Sequence, residues 1–241
     1  MSCSCRKGKK LSEIESKDIN KLIKLLMENP KAFLLILEVV NSFRPTDRER
    51  VKAEKLFLAV KDILELSLTD YGKGEEVLKT LKELLLKDKR RGDFLEVLLS
   101  KAGPLTFKGR YKRVNQCRVF KGNRKLSEKE IDVAFSGKEV LELHECKVNM
   151  VRQWRDPLRG KNRKGKKLMF LNSLPVECKN GKEVIPFCTS LDGKMGIEYV
   201  KLLFKFYRFK RIKVAGREEL FKKLFRRERW SLKTEKRPGS S

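Results

Sequence analysis

Glu130-Ile131-Asp132-Val133-Ala134-Phe135-Ser136-Gly137-Lys138-Glu139-Val140-Leu141-Glu142-Leu143-His144-Glu145-Cys146-Lys147 contains two apolar runs around a tight Ser136-Gly137-Lys138 turn. That pattern predicts a β-hairpin with strands over 131–135 and 140–148. Side chains alternate along a strand, so Glu145 and Lys147 project from one face and His144 from the other, as a spectator. Folding the hairpin can bring Asp132 beside Glu145. Two carboxylates that converge repel unless a cation sits between them. Hard oxygen donors with room for a phosphate favour magnesium, with manganese as its substitute. Lys147 points at the same spot, where it can stabilise developing negative charge or orient an attacking water.

Outward from the hairpin, Val114 to Phe120, Leu168 to Leu171 and Val184 to Thr189 read as further strands. A helix from Ile197 to Phe209, a short strand from Ile212 to Ala215 and a helix from Arg217 to about Phe225 follow. Upstream of Gly103-Pro104 the pattern is helical. Ser12 with Glu15 caps a helix that ends before Pro30, and a second runs from Lys31 to Phe43. Thr46 with Glu49 opens a third, Val77 to Leu85 mark a fourth, and a fifth begins near Asp93. The expected fold class is α/β (α+β): an N-terminal helical bundle, then a mixed sheet flanked by helices. The expected division is a flexible basic tail over 1–10, a helical domain over 11–91, a second domain over 92–230 and a polar tail over 231–241.

The 241 residues carry a formal net charge of +27, and 40% are hydrophobic. The chain can therefore bury a core, and its charge calls for a polyanionic partner, because neutralising phosphates releases condensed counterions. Residues 1–100 hold 21 basic and 17 acidic side chains, against 38 and 15 in the remainder. The helical half is close to neutral, which suits a scaffold, a homodimer interface or a protein-partner surface over residues 11–100. Nucleic acid is expected on the second half. The apolar run Ala32 to Leu37 is too short to span a membrane, and no signal peptide follows the basic start. The expectation is a cytoplasmic protein with no membrane partner. Its cysteines, at 3, 5, 117, 146, 178 and 188, lack metal-site spacing and read by default as reduced thiols. A highly charged chain with only two glutamines fits a thermophilic source, in which disulfides are less surprising.

An aspartate in an apolar strand, followed after a hairpin by Glu-x-Lys, resembles the PD-(D/E)xK nuclease superfamily. That group includes restriction endonucleases, Holliday-junction resolvases and repair exonucleases. The resemblance implies a restriction-endonuclease-like fold over about residues 92–227. It implies metal ligation by Asp132, Glu145 and the Cys146 carbonyl, with Lys147 serving hydrolysis. It also implies a glutamate on the preceding helix, for which Glu96 is in place. The chain departs from the family pattern after the Glu-x-Lys strand, where Pro157, Gly160 and Gly165 leave room only for a short helix.

Other acid-x-Lys triplets occur at Glu15, Asp192 and Glu177, of which only Glu177 has a strand-like context. Residues 152–167 gather Arg152, Arg155, Arg159, Lys161, Arg163, Lys164, Lys166 and Lys167 around the single acid Asp156. This reads as a phosphate-tracking loop beside the site, with Trp154 stacking on a base or packing on the core. Gln153 is a weaker candidate for orienting DNA or water. The expected activity is magnesium-dependent hydrolysis of phosphodiester bonds, endonucleolytic and on DNA rather than RNA. The alternative is a non-catalytic nucleic-acid-binding subunit with a degenerate nuclease fold.

Overall fold

The predicted hairpin forms β4 (Ile131–Ser136) and β5 (Val140–Cys146), antiparallel, with Val133 opposite His144 and Phe135 opposite Glu142. Around it, a computed structural model describes residues 2–6, 8, 17–28, 30–42, 79, 81, 88–154 and 163–234. The elements in chain order are β1 (Cys3–Arg6), α1 (Lys17–Glu28), α2 (Pro30–Ser42), α3 (Asp88–Ala102), β2 (Lys112–Lys121), β3 (Arg124–Lys125), β4 and β5. They continue with α4 (Met150–Gln153), α5 (Arg163–Glu177), β6 (Glu183–Thr189), α6 (Lys194–Phe206), β7 (Lys213–Ala215) and α7 (Arg217–Thr234). The sheet order is β1-β2-β4-β5-β6-β7, with β3 paired to β2. Pairing is antiparallel from β1 to β5 and parallel from β5 to β7. The mixed sheet flanked by helices is as expected from the sequence. The third and fourth predicted helices lie outside the described residues, Lys79 and Leu81 apart.

Strand alternation sorts the core into two layers. Val133 and Phe135 join one cluster with apolar residues of α1, α2, α3 and α7, while Ala134, Leu141 and Leu143 join another with residues of α5 and α6. On α1 the buried residues Ile19, Leu22, Ile23 and Leu26 form one helical stripe. That stripe and Phe33, Ile36 and Leu37 of α2 join the same cluster as Val133 and Phe135. Of these helices, α3 packs on β4 and β5 and α7 on β7, while α1 packs on α2 and α3, and α2 packs on α7.

Several sequence expectations are corrected. Residues 3–6 are not a tail but an edge strand, tied by Cys3–Cys178 to the end of α5 and by Cys5–Cys117 to β2. The four cysteines concerned are therefore oxidised, and Cys146 and Cys188 remain as buried free thiols. Leu168 to Leu171 is not a strand. It belongs to the 15-residue helix α5, which buries Leu168, Leu171 and Leu174 at helical spacing. A long helix does follow the Glu-x-Lys strand, because Gly160 and Pro157 precede it and do not interrupt it. The strand over 140–148 stops at Cys146, and α6 stops at Phe206, where Arg208 adopts a left-handed φ of 61° and Phe209 N–H closes on Phe204 O at 2.8 Å.

Glu142 fastens this frame. Its buried carboxylate accepts from Leu105 N (2.6 Å), Thr106 N (2.9 Å), Thr106 Oγ1 (2.5 Å) and His144 Nε2 (2.7 Å). Burial alone would raise its pKa, but the bonds from His144, Thr106 and Leu105 outweigh it and hold the group at about 2. His144 also meets Thr189 Oγ1 at 2.8 Å and stacks on Phe187, so the histidine is structural, as its place on the far face implied. Among the described residues no helix is long and apolar enough to cross a membrane.

The disulfides close loops of 175 and 112 residues, which constrains the unfolded chain strongly. Alkylating unfolded, unreduced protein should add two groups, at Cys146 and Cys188, against six after reduction, read by intact mass. Replacing Cys5 and Cys117 by serine should lower the unfolding free energy by about 2–5 kcal/mol. Six adducts without reductant would show that the bridges do not form.

Candidate active site

The register Val133–His144, carried one step further, sets Asp132 opposite Glu145. The ladder ends there because Asp132 Oδ2 takes the Cys146 N–H at 2.6 Å. On the other side, β6 pairs Cys188 with Glu145, and Lys147 N–H donates to Thr189 O at 2.9 Å. The end of β5 is thus fixed from both neighbours, and the side chains of Asp132, Glu145 and Lys147 meet on the face covered by α5.

Lys147 Nζ lies 2.6 Å from Glu145 Oε1, 2.8 Å from the Cys146 carbonyl and 3.7 Å from Asp132 Oδ2. From the opposite side Lys167 Nζ pairs with Glu145 Oε2 and stands 3.7 Å from Asp132 Oδ1. Glu145 is only 3% exposed. Burial and repulsion from Asp132 push its pKa up, and the two lysines oppose the rise. Burial disfavours the Lys147 ammonium, yet the attraction of Glu145 and Asp132 wins and raises its pKa. Lys147 is therefore a fixed cation and not a proton acceptor. The Cys146 and Cys188 thiols are pushed up by burial and then by the nearby carboxylates, so neither is poised as a nucleophile.

Glu96 approaches from α3. Burial first, then repulsion from Asp132 and Asp93, raises its pKa to about 8, against a hydrogen bond from Gln116 and the charge of Lys147. Its Oε2 is buried and has no hydrogen-bond partner among the described residues. Gln116 stands across from Asp132 at a point where the β2–β4 ladder skips a pair, and its φ is 48°. A glutamine held in the left-handed region costs about 1–3 kcal/mol, a strain that commonly marks functional positions. Nothing in the local sequence of β2 announces it.

The other sequence candidates divide. Lys167, read as part of a phosphate-tracking loop, sits on α5 and completes the centre. Trp154 does not offer a ring for stacking; it is buried against Phe204, with ring centroids 5.4 Å apart. Arg152 donates to Ser42 O at 2.8 Å and so ties α4 to α2. Lys166 and Gln153 are exposed, and Arg163 and Lys164 belong to the first turn of α5. Arg155, Arg159 and Lys161, with Asp156, lie outside the described residues. Glu177 ends α5, where it accepts from Ser173 Oγ at 2.6 Å, so its triplet has no strand context. Asp192 is a staple, accepting from Met150 N (2.6 Å), Ser190 Oγ (2.9 Å) and Asn41 Nδ2 (3.4 Å).

Among the described residues, no three His, Cys, Asp or Glu side chains are grouped to hold one ion. The donors available to a metal are two carboxylates and one backbone carbonyl, and they already converge on a cation, the Lys147 ammonium. A donor set of this size fits magnesium, which keeps several waters and takes substrate phosphate oxygens as further ligands.

Because the folded protein holds the Glu96 proton more tightly than the unfolded chain does, stability is lost as pH rises from about 4.5 to about 8. Glu96→Gln should remove that loss. In EDTA the variant should exceed the wild type at pH 9 by on the order of a few kcal/mol, with the gap closing towards pH 4.5. A gap independent of pH in urea titrations would show that Glu96 ionises normally.

No protein-family model matches this chain, and no curated protein is similar to it in sequence. Among solved structures it is similar to protein VC1899 from Vibrio cholerae, with 16% identity and a TM-score of 0.42, over 90% of this chain and 57% of that one. The chain thus spans a little over half the length of that protein.

Proposed function

We propose that this protein is a magnesium-dependent nuclease that hydrolyses phosphodiester bonds within DNA, on a restriction-endonuclease-like core. One observation carries the reading. Asp132, Glu145 and the Cys146 carbonyl aim their oxygens at one point held by an ammonium, at the end of a sheet in the half of the chain with the large positive charge. These three groups would hold the metal. Magnesium bound there supplies charge neutralisation at the phosphate and a water of lowered pKa, and manganese can replace it.

The rest falls to the chain's own residues. Lys147 must leave the Cys146 carbonyl for a metal to enter, and a phosphate oxygen is the partner that can draw it away. Turned to the phosphate, its ammonium stabilises charge accumulating on the phosphorus oxygens. Lys167 offers a second cation from the α5 side. Glu96, neutral below about pH 8, can donate a hydrogen bond beside Asp132 without adding a third negative charge.

One feature favours a second reading. Both carboxylates already have lysine partners, so the centre is balanced in charge without a metal. A non-catalytic nucleic-acid-binding subunit would retain such a quartet as structure. The two readings part in one experiment: labelled linear duplex, single strand and four-way junction, with magnesium or EDTA, and with binding followed separately. The nuclease should cut only with magnesium. Lys147→Ala should lose about 100-fold or more in rate and Glu145→Gln should be inactive, while both still bind. Intact substrates throughout, with salt-sensitive binding preserved, would establish the second reading.

A further inference from the structure

Seven large apolar side chains are exposed among the described residues. Four lie on α6 and two, Met169 and Val176, on α5, the helices that cover one face of the sheet. Met195, Tyr199, Leu202 and Phe206 are 89%, 41%, 66% and 77% exposed, while Ile197, Val200 and Phe204 of the same helix face the core. The exposed four follow one another at spacings of four, three and four residues. On a helix of 3.6 residues per turn they form a single stripe about 60° wide. An apolar stripe with this alternation of four and three is the seam by which two helices pack side by side.

We propose that the stripe is a homodimer seam, with α6 packed antiparallel on α6 of a second copy. The pattern is self-complementary. A two-fold axis between Tyr199 and Leu202 sets Met195 against the partner's Phe206 and Tyr199 against the partner's Leu202. Charge selects the direction. Glu198 and Lys205 lie on the same flank of the stripe, and an antiparallel two-fold keeps like flanks together. Glu198 then comes within two residues of level with the partner's Lys205, and the contact occurs twice. A parallel pair would put the two copies of this flank on opposite sides of the seam, so Glu198 would not meet the partner's Lys205 and the charge pairing would be lost. In the single chain Glu198 pairs with Lys201 at 2.7 Å, further round the helix and clear of the seam.

One helix pair covers roughly half of the ~800 Å² per partner of a standard interface, so the dimer expected is weak, with a dissociation constant in the micromolar range. The rival occupant of a basic amphipathic helix is an anionic membrane surface. Glu198 beside the stripe counts against that, since it would face the lipid headgroups. The inference does not rest on the nuclease reading, although a dimer would bring two centres together, as cutting both strands of a duplex requires.

Sedimentation equilibrium of the full chain at moderate salt tests the proposal. The wild type should pass from one to two chain masses across the micromolar range. Leu202→Glu should remain a monomer with an unchanged melting temperature, since the side chain it replaces is exposed. Glu198→Lys and Lys205→Glu should each weaken association about threefold to tenfold, and the double exchange should restore it. The sign for Lys205→Glu is diagnostic, because relief of the overall positive charge alone would strengthen a dimer. A wild type that stays monomeric throughout overturns the proposal. If Leu202→Glu then abolishes flotation with anionic vesicles, the stripe is a membrane surface; if it lowers the melting temperature, another part of the chain covers the stripe.

Discussion

Two carboxylates set side by side with little water between them are the constraint around which this molecule is arranged. At an effective dielectric constant of about 20, two unit charges 4 Å apart repel by roughly 4 kcal/mol, before any loss of hydration. The chain meets that repulsion from three directions. Lys147 follows Glu145 by two residues on the same strand, so the hairpin itself delivers one cation. Helix α5 delivers Lys167 from across the layer. Glu96 retains its proton and so adds no charge near neutrality. A chain shaped for stability alone would fill the same space with apolar side chains, which usually serve a buried site at least as well.

The buried acids of this protein fall into two kinds, and the contrast is informative. Glu142 receives two backbone N–H groups, a hydroxyl and an imidazole, which hold its pKa at about 2. Asp192 receives the first N–H of α4, the Ser190 hydroxyl and the Asn41 amide. Both are saturated by fixed donors and can only hold elements together. Asp132, Glu145 and Glu96 differ. Two donors serve them, Cys146 N for Asp132 and Gln116 for Glu96, and the remaining partners of Asp132 and Glu145 are the ammonium groups of Lys147 and Lys167. Acids satisfied by rigid donors make structure, whereas acids satisfied by movable cations leave room for another ligand.

The hairpin, β6, α6 and β7 were legible because alternation of period two and stripes of period 3.6 are strong local signals. So was the pairing of Asp132 with Glu145, which needs only a turn and a register. Other features depended on information that no local window holds. The four residues of β1, Cys3-Ser4-Cys5-Arg6, are too few to make a strand pattern, and disulfide partners 112 and 175 residues apart cannot be chosen from spacing. Lys167 was hidden by its surroundings, as one lysine in a run where every neighbour is basic. Its helical phase would have singled it out. Counting back from Cys178, Leu174 and Leu171 by steps of four and three reaches Lys167, on the buried side of α5, while Lys166 points to solvent. The short apolar run Leu168 to Leu171 supports strand and helix alike, and reading it as a strand removed the phase that identifies the residue.

On the proposed function, the quartet of two lysines and two carboxylates also links substrate to metal. Without a ligand, the carboxylates hold the ammonium groups, and a divalent ion must displace a charge of its own sign to enter. A phosphate brings oxygens that compete for Lys147 and Lys167, and every ammonium it attracts leaves a carboxylate oxygen free. Phosphate thereby raises the affinity for the cation, and by the reciprocity of linked equilibria the cation raises the affinity for phosphate. The positive charge of residues 101–241 acts in the same sense, since it repels a lone divalent ion and attracts the backbone that admits one. On that proposal the centre would be complete only when nucleic acid and metal arrive together, and the lysines that neutralise it at rest would be the groups that grip the phosphate.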